Sequence, residues 1–309
     1  MIDAKFARAK LSDRVIPVRK SPGNSTYDCV RSFKRLVALD KIGHAGSLDP
    51  DARGLILILT GEATKLSNYL MDLPKRYVAD VKFGEATDSQ DRSGAVTRSG
   101  EWQHVTEEMV RDVIPRFLGK RLQTPPMYSA LKHKGRPLYL LARRGERVDR
   151  TAREIDTYEI SLVMFEPPVA RIEVFCARGL YLRVLAEEIG DALGVPAHLS
   201  SLVRVRIGHF SLEEAVNDDA FESLRAVLDP QRVAVHVAVG VVGAVVVFEE
   251  VDDGDVAVEF AKEEGGAEAA VADDEVGADF GVVLHGAVDA VAMPDGVFEG
   301  ARAVVVLLG

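Results

Sequence analysis

The chain has 309 residues, 47% of them hydrophobic, which is enough for two domains with a sizeable core. Its formal net charge of −10 argues at first sight against a nucleic-acid partner. The charge is unevenly distributed, however. Residues 226–309 hold 3 basic and 17 acidic side chains, which leaves 35 basic and 31 acidic in residues 1–225. RNA binding therefore stays open for residues 1–225.

Composition also disfavours secreted, membrane-bound and metal-dependent proteins. The first ten residues, MIDAKFARAK, contain no apolar run that would serve as a secretory signal or an anchor. Residues 233–248 form the longest apolar tract, which at 16 residues is too short for a membrane span. Cys29 and Cys176 form no disulfide framework, so we expect buried thiols and a cytoplasmic location. The seven histidines do not cluster with Cys or carboxylates at ligand spacings, so we expect no metal.

Residues 14–215 carry the periodicities of helices and strands. Helical spacing is found at 30–37, with Ser25 or Thr26 as N-cap, then at 63–70, about 106–117 and 182–193. Apolar or alternating runs predict strands at 55–59, 77–83, 155–164, 169–176 and 202–207. Strands outnumber helices and do not alternate regularly with them. The pattern predicts an α+β fold with a mixed, mostly antiparallel sheet flanked by helices.

The C-terminal segment has a different composition. From Val233 onward it lacks Ser, Thr, Asn, Gln, Ile, Tyr, Trp and Cys and is dominated by Val, Ala, Gly, Asp and Glu. Valine-rich runs at 233–248, 256–260, 281–284 and 303–308 would suit the strands of a small PUA-like module. Adaptation to high salt and a shifted reading frame in a GC-rich gene are the other two interpretations. We therefore divide the chain into a first domain, 1–228, and an acidic tail, 229–309.

Basic residues are concentrated between positions 132 and 153. This stretch matches the electrostatic footprint of a protein that binds a phosphate backbone, although a solvated basic loop is the alternative. Its members are Lys132, His133, Lys134, Arg136, Arg143, Arg144, Arg147, Arg150 and Arg153.

One glycine-rich turn precedes the strand at 55–59. Residues 43–50 read GHAGSLDP, and on local chemistry alone Asp49 is a turn former. Further blocks follow in order: GEATK at 61–65, KRY at 75–77, TDSQD at 87–91, YSALK at 128–132 and CARGLYLR at 176–183. Together these blocks resemble the TruB family of pseudouridine synthases over roughly residues 14–215. The N-terminal block departs from the family pattern, with Arg19 in place of Asp and Pro22 one position late.

The resemblance implies the pseudouridine synthase catalytic fold and the isomerisation of uridine to pseudouridine in the T-loop of tRNA (position 55), without a cofactor. Asp49 would be the catalytic carboxylate and Arg183 its ion-pair partner. Whether Asp49 attacks C1′, adds at C6 or abstracts a sugar proton stays open. The substrate uridine must be everted into the pocket, where Tyr77 would stack on the base and Tyr181 would line the site.

The resemblance assigns further residues to RNA binding. Leu202 would supply an apolar wall, and His44 would occupy the space left by the everted base. Lys20 and Lys65 would contact phosphates or brace the loop. The basic segment (residues 121–153) would bind the T-stem backbone, chiefly through Lys132, Lys134, Arg136, Arg143 and Arg144.

The expected partner is therefore the T-arm of tRNA, bound by a monomer with no membrane or metal. Two alternatives remain: a guide-RNA-directed synthase of the dyskerin type, and a tRNA-binding or folding factor with little catalysis. The set of Asp49, Tyr77, Tyr181 and Arg183 argues against the second, because a pure binder has no need of a paired carboxylate in its pocket.

Overall fold

The computed structural model describes residue 11, residues 13–37 and 39–218, and the backbone of four further strands at 236–239, 244–248, 281–283 and 303–307. The chain divides into two compact units. The first contains the residues up to Ser47, Ile56–Tyr69 and the residues from Leu212 onward. The second contains Leu48–Leu55 and Leu70–Ser211.

The described strands are, in chain order, β1 (Val15–Lys20), β2 (Ile42–Ala45), β3 (Arg53–Thr60), β4 (Lys75–Phe83), β5 (Glu85–Thr87), β6 (Val96–Ser99), β7 (Gly119–Gln123), β8 (Lys132–His133), β9 (Arg136–Pro137), β10 (Arg153–Glu166), β11 (Val169–Cys176), β12 (Ala197–Ile207), β13 (Phe210–Ser211), β14 (Val216–Asn217), β15 (His236–Val239), β16 (Ala244–Phe248), β17 (Gly281–Val283) and β18 (Ala303–Leu307). The described α-helices are α1 (Thr26–Val37), α2 (Ser67–Asp72), α3 (Glu107–Val113), α4 (Leu138–Ala142) and α5 (Leu182–Ala192), with 3-10 turns at Gly61–Leu66 and Ile114–Phe117.

The second unit is built on an antiparallel sheet in the order β12-β4-β11-β10-β7. At one edge β12 pairs in parallel with the first two residues of β3 and antiparallel with β13. Because polar and apolar residues alternate along β4, Ala79, Val81 and Phe83 lie on one face of the strand. They pack in a core that also contains Leu185 and Ile189 of α5. These pairings confirm the predicted α+β fold with a mixed, mostly antiparallel sheet and flanking helices.

In the first unit β2 pairs antiparallel with the second half of β3, and β1 pairs in parallel with β14. Helix α1 begins with a reciprocal cap, because the Asp28 amide donates to Ser25 Oγ (3.1 Å) and the Ser25 amide donates to Asp28 Oδ2 (3.0 Å). Asp218 Oδ2 accepts the Ser21 amide at 2.8 Å. This bond ties the segment after β14 to the end of β1.

Two predicted helices have different boundaries. The helix predicted at about 106–117 ends as an α-helix at Val113 and continues as a 3-10 turn, because Pro115 has no N–H to donate to the carbonyl of Arg111. The segment predicted at 63–70 begins as a 3-10 turn before α2. Within the described part of the chain, no helix has both the length and the apolar character needed to cross a membrane.

The tail contains a four-stranded sheet in the order β15-β16-β18-β17. Strands β15, β16 and β18 are antiparallel neighbours, and β17 runs parallel to β18. The run predicted at 256–260 and the domain boundary at residue 228 lie outside the described residues. The division into 1–228 and 229–309 therefore stays a prediction.

Candidate active site

Asp49 lies in a tight turn that leads into β3. The amide of Ala52 donates to the carbonyl of Asp49 at 3.1 Å, which closes the turn. The Asp49 side chain is 45% exposed. The carboxylate therefore stays accessible while its backbone is fixed.

Arg183, in the first turn of α5, is the residue that holds Asp49. Its Nε lies 2.9 Å from Asp49 Oδ2, and its side chain is only 6% exposed. Nη1 lies 3.5 Å from Asp91 Oδ2 and donates to the carbonyl of Ser89 at 3.2 Å, while Nη2 donates to the carbonyl of Tyr128 at 2.8 Å. With acceptors on all three nitrogens, the guanidinium has one defined orientation towards Asp49.

Asp91 is a site residue that the sequence analysis did not assign. Its Oδ1 accepts the Ser89 hydroxyl at 2.7 Å and the Ser93 amide at 2.9 Å, which leaves Oδ2 for Arg183. Gly94 is required in this turn, because a Cβ atom there would lie 2.3 Å from Asp88 Oδ1. The TDSQD block was a usable signal, but an Asp in a polar turn normally has only a structural role. We refer to Asp49, Asp91 and Arg183 as the carboxylate–arginine cluster.

A small, open pocket adjoins this cluster, lined by Asp49, Asp51, Ala52, Asp91, Arg92, Arg183, Leu199, Ser200, Ser201 and Leu202. Leu202 is half-buried and also packs against the core of the second unit. The pocket therefore combines one apolar wall with an ion pair. Neither Tyr77 nor Tyr181 is among its lining residues.

Both tyrosines nevertheless lie close enough to Asp49 for its charge to affect them. Burial raises the pKa of the Tyr77 hydroxyl, Arg204 opposes this shift, and the negative charge of Asp49 adds a smaller increase. Burial also raises the pKa of Tyr181, again with a smaller increase from Asp49. Both phenols are therefore neutral at physiological pH.

Gln123 holds the backbone of Tyr181. Its Oε1 accepts the Tyr181 amide at 2.9 Å, and its Nε2 donates to the Tyr181 carbonyl at 3.4 Å. Gln123 is 2% exposed, so both bonds are shielded from water. This pair of bonds fixes the residue that immediately precedes α5 and hence the start of the helix that carries Arg183.

The basic segment presents its cations to solvent. It contains the β8–β9 hairpin and α4, and the five side chains predicted to bind RNA are all exposed: Lys132, Lys134, Arg136, Arg143 and Arg144. The guanidinium of Arg143 lies over the ring of Tyr139, 5.7 Å from its centroid. The segment is connected to the carboxylate–arginine cluster through the Tyr128 carbonyl, which accepts from Arg183.

The other predicted residues, His44, Lys20 and Lys65, belong to the first unit. His44 is half-buried on β2, and its carbonyl accepts the Ser67 hydroxyl at 3.2 Å. Lys65 is exposed and forms an ion pair with Glu62.

Lys20 is not available for the expected phosphate contact. It is 0% exposed, and its Nζ donates to the carbonyl of Ser21 at 3.0 Å. A buried ammonium group cannot reach an RNA backbone, so this geometry supports the alternative expectation that Lys20 braces the loop.

Among the residues that the structure describes, no three His, Cys, Asp or Glu side chains are grouped to hold a metal ion. Cys29 and Cys176 are both buried free thiols, and burial raises the pKa of each to about 12.

Comparison with known proteins gives consistent results. The N-terminal domain model of the TruB family of pseudouridylate synthases matches residues 34–182. The tRNA pseudouridine synthase B of Chromohalobacter salexigens is 42% identical over 72% of this chain and 73% of its own length. That of Bordetella pertussis is 43% identical over 69% of this chain and 88% of its own.

Solved structures show the same fold. A chain of a Cbf5-Nop10-Gar1 complex superimposes with a TM-score of 0.56 and 26% identity, covering 75% of this chain and 65% of that one. A chain of an H/ACA RNP bound to a substrate RNA has a TM-score of 0.52 at 22% identity, which is evidence for the fold alone. The predicted family is thereby confirmed: the chain belongs to the TruB family of pseudouridylate synthases, isomerases that convert uridine in RNA to pseudouridine.

Proposed function

We propose that this protein isomerises the uridine at position 55, in the T-loop of tRNA, with Asp49 as the catalytic carboxylate. The main support for this proposal is the ion pair between Asp49 and Arg183, in which Arg183 is buried and Asp49 is accessible. The relatives that match across two thirds or more of their length are named tRNA pseudouridine synthase B, which supports tRNA as the substrate.

The reaction requires an ionised and oriented carboxylate beside the glycosidic bond. The N1–C1′ bond of the uridine breaks and a C5–C1′ bond forms, while C5 loses a proton and N1 gains one, so the reaction has no net redox change. The Arg183 guanidinium stabilises the charged form of Asp49 and fixes its rotamer by a charge-assisted hydrogen bond. Asp49 is thus prepared for the reaction before RNA arrives, which lowers the reorganisation required in the transition state.

The substrate base has to leave the stacked loop to reach Asp49. Base eversion costs a few kcal/mol, which stacking on an aromatic ring offsets. Tyr77 provides this ring in our proposal. Tyr181 and Leu202 line the space around the base, and His44 fills the gap left in the RNA loop.

The basic segment binds the phosphate backbone of the T-stem and gives the affinity that eversion requires. The five exposed cations assigned to RNA binding lie outside the carboxylate–arginine cluster, as expected for contacts that position the RNA without reading bases. Lys65 adds a phosphate contact from the first unit. We propose that the protein acts as a cytoplasmic monomer without cofactor or metal.

Tritium release tests the proposal directly. Wild-type protein is incubated with a tRNA transcript labelled with tritium at C5 of uridine, and the released label is counted. A matched transcript in which the T-loop uridine at position 55 is replaced by cytidine serves as control. We expect release from the first transcript and none from the second. Release from both would refute specificity for position 55, and tRNA binding without release from either would favour a binding or folding factor.

A further inference from the structure

Arg204 is a buried cation on β12 to which the proposed mechanism assigns no function. It is 2% exposed. A buried guanidinium destabilises the fold unless its donors are hydrogen-bonded. Nε donates to the carbonyl of Leu55 at 2.7 Å. Burial raises the pKa of the Tyr77 hydroxyl, and the nearby positive charge of Arg204 opposes this increase. RNA phosphates cannot reach this group, so it has a different task from the exposed cations of the basic segment.

The register of the sheet places Arg204 and Tyr77 side by side. They are opposite residues on the antiparallel strands β12 and β4, and opposite residues project from the same face. The register shifts on both sides of this stretch, between Leu199 and Ser201 and between Arg204 and Arg206. Such irregularities redirect side chains and are common beside active sites. Here they keep a short stretch of β12 aligned with Tyr77.

On its other side, Arg204 contacts the strand that follows Asp49. Arg204 pairs in parallel with Gly54, where a Cβ atom would lie 2.3 Å from the Arg204 carbonyl oxygen. Gly54 also has a φ of +112°, a backbone conformation that residues with a side chain rarely adopt. Only glycine permits this approach, and it brings the Leu55 carbonyl within reach of Arg204. The Arg204 side chain therefore contacts the strand after the Asp49 turn, and Arg204 lies opposite Tyr77 of β4.

We infer that Arg204 is a positioning residue, which fixes the ring of Tyr77 relative to Asp49 by holding the Tyr77 hydroxyl. This inference rests on the proposed function, in which Tyr77 stacks on the everted uracil. Arginine suits the position because its fork of donors can serve a carbonyl and a phenol together, which a lysine ammonium cannot do in the same geometry. Loss of the bond leaves RNA binding intact and lowers the rate of isomerisation.

The test is a double-mutant cycle with Arg204→Lys and Tyr77→Phe. Single-turnover rates of pseudouridine formation and the Kd for tRNA are measured for both single variants and the double variant. We expect Arg204→Lys to slow the reaction by about 100-fold, the effect of a misplaced active-site group, with an unchanged Kd. In the Tyr77→Phe background the same substitution has no further effect on the rate, because the hydroxyl through which Arg204 acts is absent.

Arg171→Lys is the matched control. Arg171 binds Asp80 across β11 and β4, and Asp80 lies on the face of β4 opposite to that of Tyr77, so this variant should keep the wild-type rate. Equal rates for Arg204→Lys and wild type, or equal slowing by Arg204→Lys with and without the Tyr77 hydroxyl, would overturn the inference. Should Arg204→Lys fail to fold, a wild-type rate for Tyr77→Phe would overturn it as well. An inactive wild type would instead reject the proposed function.

Discussion

The carboxylate–arginine cluster and the basic segment are both polar, but they are built in opposite ways. Arg183 is buried and has acceptors on all three nitrogens, whereas the five cations of the basic segment that are assigned to RNA binding are exposed. A reacting carboxylate needs a fixed orientation, and a backbone-binding surface needs accessible charge. We therefore expect substitutions in the cluster to change the rate of isomerisation and substitutions in the basic segment to change the affinity for tRNA.

After the loss of Asp49 itself, the largest effect on the rate is expected from Arg183→Met. The substitution removes the partner of Asp49 and Asp91 and leaves two buried carbonyls without a donor. We expect the single-turnover rate to fall by at least about 100-fold. Because Arg183 itself is buried, the loss of its hydrogen bonds should also cost about 1–3 kcal/mol of unfolding free energy. Urea denaturation measures the second effect. A stable, fully active variant would show that Asp49 does not need Arg183 for its orientation.

The sequence alone predicted the elements that carry this cluster but not all of its members. The apolar run of β3 and the helical spacing of α5 are local patterns, so they could be recognised without knowledge of tertiary contacts. The pairing of Asp49 with Arg183 joins residues far apart in the chain, and only the family resemblance implied it. Asp91 was missed because an Asp in a polar turn normally has only a structural role. For Lys20 the resemblance left a phosphate contact and a bracing role open, because burial of a side chain depends on tertiary packing.

A smaller effect is expected from Gln123→Leu, which tests whether the rigidity of the cluster extends to its support. The variant removes the buried Gln123 side chain that hydrogen-bonds to the amide and the carbonyl of Tyr181. We expect a loss of about 1–3 kcal/mol in unfolding free energy. The rate should fall less than in Arg183→Met, because Arg183 keeps its own contacts. A loss of tRNA affinity with an unchanged rate would contradict this assignment.

Lys75 provides a pH-dependent test within the rigid region. Burial lowers the pKa of Lys75 from 10.5 to about 8, and its Nζ donates to the carbonyls of Met71 and Leu73. Between these two pH values the unfolded chain binds a proton that the folded chain does not. Lys75 should therefore contribute an increase of the unfolding free energy with pH, by at most about 1.4 kcal/mol per unit. Lys75→Met should lack this rise, as urea unfolding of both proteins would show. Parallel pH profiles would contradict it.

The smallest effect on the rate is expected in the basic segment. The double variant Lys132→Ala, Lys134→Ala should weaken tRNA binding and reduce the slope of log K against log salt by about 2, one for each lost phosphate contact. Its rate at saturating tRNA should equal that of the wild type. Filter binding at several salt concentrations measures the slope. An unchanged slope would mean that these two lysines do not contact RNA.

The most direct test of the central claim compares Asp49→Asn with Asp51→Asn. Both carboxylates line the same pocket, and their side chains have similar exposed fractions, 45% for Asp49 and 40% for Asp51. Asp49 is paired with Arg183, whereas Asp51 lies 3.8 Å from Arg92. Tritium release and tRNA binding are measured for both variants. We predict no detectable turnover with retained binding for Asp49→Asn, and turnover close to wild type for Asp51→Asn. Wild-type turnover by Asp49→Asn would remove Asp49 from the mechanism.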